Sequence, residues 1–152
     1  MRSKATRIYA CLLLTFCLTA AAQELGYWRA ASNTARSITG DITLSEEKLG
    51  INFLVFPMVR VRPLTDSELS ATFDSDNSVD HAGSLYKIDI SGSRKFLHKN
   101  TLCSNEDAQW IATYVSGRTL KMAFFSSLKP PVLTMEGRAD ATDLCGSYSY
   151  VK

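Results

Sequence analysis

The chain has 152 residues, 45% of them apolar and 21% charged, with a formal net charge of +2. Those proportions exclude a disordered or fibrous chain and leave room for one domain with its own hydrophobic core. The charge balance provides no basic footprint for nucleic acid.

Residues 1–22 read as a secretory signal peptide. Arg2, Lys4 and Arg7 make a positive start, Ile8 to Ala20 an apolar run, and Ala20-Ala21-Ala22 a small-residue cleavage site. The apolar run falls short of the ~20 residues that span a bilayer, and no later stretch is a candidate span. The expectation is an exported protein, periplasmic or extracellular, whose residues 23–152 form a single β-rich domain. Cleavage removes three of the 17 basic side chains and none of the 15 acidic ones, leaving 14 against 15 and a net charge of −1. It also removes Cys11 and Cys17. Leu14-Thr15-Phe16-Cys17 has the outline of a lipid-attachment site, but Phe16 stands where a small residue is needed. Cys103 and Cys145 remain, and an even pair in an oxidising compartment reads as a disulfide.

Ile38 to Leu44 alternates apolar and polar residues and is predicted as a half-buried strand. Leu49 to Phe56 follows as a second, with Leu49, Ile51, Phe53 and Val55 on one face. Leu54 and Phe56 on the other face imply cover on both sides. Pro57 marks a bulge or edge before Val59 to Arg62 resumes the alternation. Thr65-Asp66-Ser67-Glu68 has the form of a capping box opening a short helix through Leu69 and Phe73, although Leu69, Ala71 and Phe73 also alternate as a strand would.

Asp74 to Gly83 reads as a loop, and Leu85 to Ile90 as a strand with Tyr86, Ile88 and Ile90 inward. Trp110 to Val115 and Thr119 to Phe125 flank Ser116-Gly117-Arg118, a hairpin signal. The expected pairing sets Trp110, Ala112 and Tyr114 against Leu120, Met122 and Phe124. Val132 to Met135 is expected as a short edge strand, Glu136 to Asp143 as a polar loop, and Gly146 to Val151 as the last strand, with Tyr148 and Tyr150 on one side. About seven short strands at such spacing, with one or two short helices, predict a small antiparallel β-barrel or sandwich.

Motifs for chemistry are sparse. Asp74, Asp76 and Asp80 place oxygens at alternate positions as a calcium loop does, but Val79 and Leu85 stand where an EF-hand needs glycine and glutamate. They are weak metal candidates beside the reading of a solvated acidic loop. His81 and His98 are the only histidines and lack zinc-site spacing. No Gly-x-Ser-x-Gly or Cys-x-x-Cys is present, so no catalytic residue and no cofactor is assigned. Arg60, Arg62, Arg94, Lys95 and Lys99 form either a modest basic patch or ordinary solvated faces. Tyr86, Trp110, Tyr114, Phe124 and Tyr148 are the candidate ligand-binding residues, since aromatics at inward positions line cavities in small barrels, though they also simply fill cores.

Gly26-Tyr27-Trp28, followed by the alternation from Ile38, resembles the Gly-x-Trp opening of lipocalin and avidin-type barrels, which implies a lipocalin-like barrel with the tryptophan plugging one end. Ile38-Thr39-Gly40-Asp41-Ile42, Phe96 to Cys103, Gln109-Trp110 and Asp143 to Gly146 resemble small exported bacterial proteins of uncharacterised function. The expected function is a monomeric, non-catalytic binding protein for a small apolar ligand or an envelope component. The alternative is a protein-interaction module, such as an inhibitor of a secreted or host hydrolase, presenting the loops Asp74 to Gly83 and Glu136 to Asp143. An enzyme comes third.

Overall fold

A computed structural model describes residues 24–76 and 79–152; the predicted signal peptide lies outside the described residues. The strands are β1 (Gly26–Ala30), β2 (Ile42–Leu44), β3 (Lys48–Ile51), β4 (Leu54–Pro63), β5 (His81–Ala82), β6 (Ser84–Ile90), β7 (Ala108–Ser116), β8 (Thr119–Phe125) and β9 (Leu144–Val151). Short α-helices within the described residues accompany them, α1 (Asn33–Ser37), α2 (Asp66–Phe73) and α3 (Met135–Ala139), with a 3-10 turn at Leu97–Lys99. β5 and β6 keep one register against β7 and form a single wall strand interrupted at Gly83, where an added Cβ would lie 2.2 Å from the Thr113 carbonyl oxygen. Each strand pairs antiparallel with its successor, and β9 returns to β1 through Arg29↔Val151 and Ala30↔Tyr150. The result is a closed, eight-stranded antiparallel barrel, as the sequence predicts. Closure removes the exposed strand edges that an open sheet would carry.

Because the strands alternate in direction, their connections alternate between two ends. One end holds the chain entry at Glu24, the β2–β3 and β7–β8 turns, α2 and Lys152; the other holds α1, the β3–β4 turn, residues 91–107 and residues 126–143. Inward residues fill the barrel: Trp28, Ile42, Leu49, Met58, Tyr86, Ile88, Ile111, Met122, Phe124, Tyr148 and Tyr150 are all buried. Phe96, whose ring lies 6.0 Å edge-on from that of Phe56, and Leu102 close the second end. A separate apolar layer covers the outside of β6–β8, where Leu64, Leu69, Phe73 and Leu133 pack on Leu85, Trp110, Ala112, Tyr114 and Phe125.

Thr65 to Phe73 adopts the helical alternative. The Thr65 hydroxyl accepts from the Glu68 amide and the Glu68 carboxylate accepts from the Thr65 amide, completing the capping box. Asp74, at φ 50°, ends the helix in the left-handed region. Cys103 and Cys145 form a disulfide, with Cα atoms 4.6 Å apart. It ties the β6–β7 connection to the start of β9.

Four sequence expectations are corrected. Ile38 does not begin a strand; it caps α1, with its amide bonded to Thr34 O, and β2 starts at Ile42. Leu49 to Phe56 is not one strand but a hairpin, turning at Asn52 and Phe53 with Ile51 paired to Leu54. Val132 to Met135 pairs with nothing as a strand, and the polar stretch after it contains α3, opened by Thr134, whose side chain accepts from the Gly137 amide. The pairing of β7 with β8 sets Trp110 against Phe125, Ala112 against Ala123 and Tyr114 against Lys121. Gly117 and Arg118 alone form that turn. Counting Ser116 into it shifts the register by one and exchanges the faces.

Candidate functional site

The corrected register divides the five aromatic candidates. Tyr86, Phe124 and Tyr148 lie inside the barrel, where the rings of Phe124 and Tyr148 meet edge-on at 5.2 Å. Burial pushes the Tyr148 phenol up to about 12, and among the described residues its hydroxyl has no hydrogen-bond partner. Trp110 and Tyr114 face outward beneath α2 and residues 127–133. Trp110 Nε1 donates to Ser127 O at 3.0 Å, and Tyr114 lies against Phe73 and His81 with ring centroids 5.8 and 5.9 Å away. The five therefore line no common cavity.

The polar candidates are scattered too. His81 has both ring nitrogens engaged, Nδ1 with Val79 O at 2.7 Å and Nε2 with Asp66 at 3.1 Å, and no free nitrogen is left to act as a base. Its pKa is raised, first by the Val79 carbonyl and then by Asp66. His98, at φ 54°, points Nδ1 at Ser37 O in the opposite end of the barrel. Asp74 caps α2, and the acidic run is only partly within the described residues, among which no three His, Cys, Asp or Glu side chains gather as a metal site. Arg60 and Arg62 belong to the chain-entry end, where they bond Ser84 and Glu68, whereas Arg94, Lys95 and Lys99 sit in the connection at the other end. They form no single patch. Among the described residues no helix is long and apolar enough to cross a membrane.

The most apolar of the larger clefts lies on the outer wall, on the side that the second layer leaves bare. Tyr27, Thr43, Gly50 and Val55 stand directly opposite one another across β1, β2, β3 and β4. Successive strand residues face opposite ways, so these four share the outward face of the filled barrel. Gly50 supplies no side chain to the row, and a Cβ there would come within 2.2 Å of Thr43 Oγ1. The missing side chain leaves a groove of about 610 Å³ that runs from Tyr27 past Gly50 to Gly40 and Leu97. That volume lies in the range of ~300–1,000 Å³ usual for small-molecule sites.

Phe53 overhangs the groove from the β3–β4 turn. Two-residue hairpins of this kind need positive φ at both turn positions, which favours Asn then Gly. The turn here is Asn52 at φ 48° and Phe53 at φ 66°. Asn52 suits its place; a bulky aromatic at Phe53 does not, and its ring is fully exposed. The turn thus holds an aromatic in strained backbone with its ring in solvent rather than packed in the core. Strain of this kind concentrates at functional positions.

The opposite wall is pinned by Asp41. Its carboxylate accepts from the Tyr27 hydroxyl and from the Ala30 amide, and these two bonds, the Tyr27 bond foremost, hold its pKa below the usual carboxylate value. The groove therefore pairs an apolar floor with one fixed negative charge at its rim. The groove is not legible in the sequence because Phe53 disguises the turn. The readable signals were Asn52, a turn residue, and Gly50, a glycine inside a strand, which marks close approach of another group.

Comparison with known protein families, with characterised proteins and with solved structures yields no match to this chain.

Proposed function

We propose that the protein is an exported, non-catalytic binding module that takes a flat apolar group, belonging to a small ligand or an envelope component, into the groove between Tyr27, Phe53 and Leu97. The observation that carries the reading is Phe53, an exposed aromatic in left-handed backbone beside an apolar cleft. Export is supported by the predicted signal peptide and the disulfide. The closed barrel with buried Trp28 agrees with a resemblance to lipocalin-like folds, with the binding surface outside the filled barrel rather than within it.

The test is Phe53→Gly, because glycine suits the turn and spares the fold. A neutral apolar fluorescent probe such as N-phenyl-1-naphthylamine should bind the native protein saturably, and the variant should lose that binding at unchanged or raised thermal stability. Equal binding by a folded Phe53→Gly protein would refute the reading.

A second reading rests on a separate observation. Val55, Val59 and Val61 are each at least half exposed and extend the apolar surface along β4 beyond the groove. A patch of that length suits a protein partner better than a small molecule. Val59→Lys should abolish docking of such a partner and leave probe binding in the groove intact.

A further inference from the structure

At the chain-entry end, Glu24 precedes β1 and pairs with no strand, yet only 1% of it is exposed. Its carboxylate enters the barrel and meets three wall hydroxyls. Ser84 Oγ donates to Oε1 at 3.2 Å; Tyr86 Oη and Thr113 Oγ1 donate to Oε2 at 2.8 and 3.1 Å. Ser84 and Thr113 are 0% exposed and Tyr86 2%. Thr113 Oγ1 also lies 3.2 Å from Ser84 O, a second acceptor for its one hydrogen; buried hydroxyls are costly without a partner, and the neighbouring inward residues, Ile88, Ile111 and Met122, are apolar. The wall also orients them: Arg60 Nε donates to Ser84 Oγ at 2.9 Å, and the Ser84 amide donates to Thr113 Oγ1 at 3.0 Å. A positive charge thereby polarises Ser84 toward the carboxylate.

The two sides of this contact are built differently. Ser84, Tyr86 and Thr113 stand on β6 and β7, fixed by ladder pairing at Tyr86↔Ile111 and Leu85↔Ala112. Glu24 is held by its carboxylate, by Trp28 Nε1 donating to its carbonyl at 2.8 Å, and next door by Lys152 Nζ donating to Leu25 O at 2.8 Å. The three wall hydroxyls are thus set by the sheet, and the carboxylate reaches them from the helical residue that precedes β1. We infer that Ser84, Tyr86 and Thr113 form a binding site for small monocarboxylates, and that the chain occupies this site with its own Glu24 as a tethered ligand.

A free acid competes in the native protein with a tethered group whose effective concentration is of the order of millimolar or more. Removing that group should open the site. Glu24→Ala deletes one methylene and the carboxylate, the heavy atoms of one acetate ion. The experiment follows thermal unfolding of native protein, Glu24→Ala, and Glu24→Ala combined with Ser84→Ala and Thr113→Val, in sodium acetate and in sodium chloride of equal ionic strength at pH 7. A ligand that binds only the folded state raises its melting temperature with concentration. Acetate should raise that of Glu24→Ala saturably, with a midpoint at least about tenfold below any response of the native protein. The variant stripped of its wall hydroxyls should not respond. Equal melting of Glu24→Ala in both salts, or an equal acetate response after the wall is stripped, would overturn the inference. If Glu24→Ala is unfolded in chloride, recovery of the far-ultraviolet β signal in acetate becomes the readout, and no recovery overturns it. The site lies at the opposite end of the barrel from the Phe53 groove, so its failure leaves the groove reading untouched.

Discussion

The Lys152 ammonium lies 4.4 Å from the centre of the Trp28 ring, so the last residue of the chain closes over the first strand's tryptophan. Trp28 is fully buried, and the same ammonium bonds Leu25 O, which ties Lys152 to the segment before β1 over one mouth of the barrel. Lys152→Ala should cost about 1 kcal/mol through the lost cation–π contact. Urea unfolding followed by tryptophan fluorescence checks this, and Lys152→Arg should retain most of the stability because a guanidinium can stack on the same ring.

The Phe53 turn makes a prediction of opposite sign. A left-handed residue bearing a side chain costs roughly 1–2 kcal/mol, and glycine gives back part of the gain through its freer unfolded chain. Phe53→Gly should therefore stabilise the protein by about 0.5–1 kcal/mol, measured as a raised urea midpoint at unchanged slope.

Tyr148 carries a buried hydroxyl without a partner among the described residues. A lone buried donor costs about 1–3 kcal/mol. Tyr148→Phe should raise stability by about 1 kcal/mol, whereas Tyr86→Phe, which takes a hydroxyl from Glu24, should lower it. Thermal unfolding of the two variants side by side provides the comparison.

Acid should loosen α2. Glu68 receives two bonds from the Arg62 guanidinium, at 2.6 and 2.8 Å, and this pairing foremost lowers its pKa from 4.5 to about 2. A depressed carboxylate pKa contributes stability that is complete above the unfolded value and vanishes as pH falls through the folded one. The contribution should accordingly be present above pH 4.5 and fade toward pH 2. With Arg62 42% exposed, solvent screening holds it to about 1 kcal/mol. Glu68→Gln should flatten that part of the stability profile, as read by denaturation at stepped pH.

Much of this architecture is legible from side-chain periodicity. Tyr86, Ile88 and Ile90 alternate because one face of β6 lines the barrel, and the capping box announces α2 through contacts confined to four consecutive residues. The limits were set where a face depends on a count. Whether Gly117 and Arg118 alone make a turn, or Ser116 joins them, decides if Trp110 is inside or outside, and composition does not distinguish the two. The groove was hidden more deeply. Phe53 reads as a strand residue by every propensity, and only pairing across four strands reveals that Gly50 leaves a gap. Glu24 gave no signal at all, since its three partners lie 60, 62 and 89 residues further along the chain.

The disulfide has a mechanical consequence. Its 42-residue loop encloses the whole β7–β8 hairpin, so tension applied at Glu24 and Lys152 bypasses that hairpin and runs through the sulfur bridge. A single molecule stretched to rupture should release all of its contour except about 140 Å. That length should appear only once a reductant is added, which makes the hairpin the one segment of the barrel wall shielded from a pulling force.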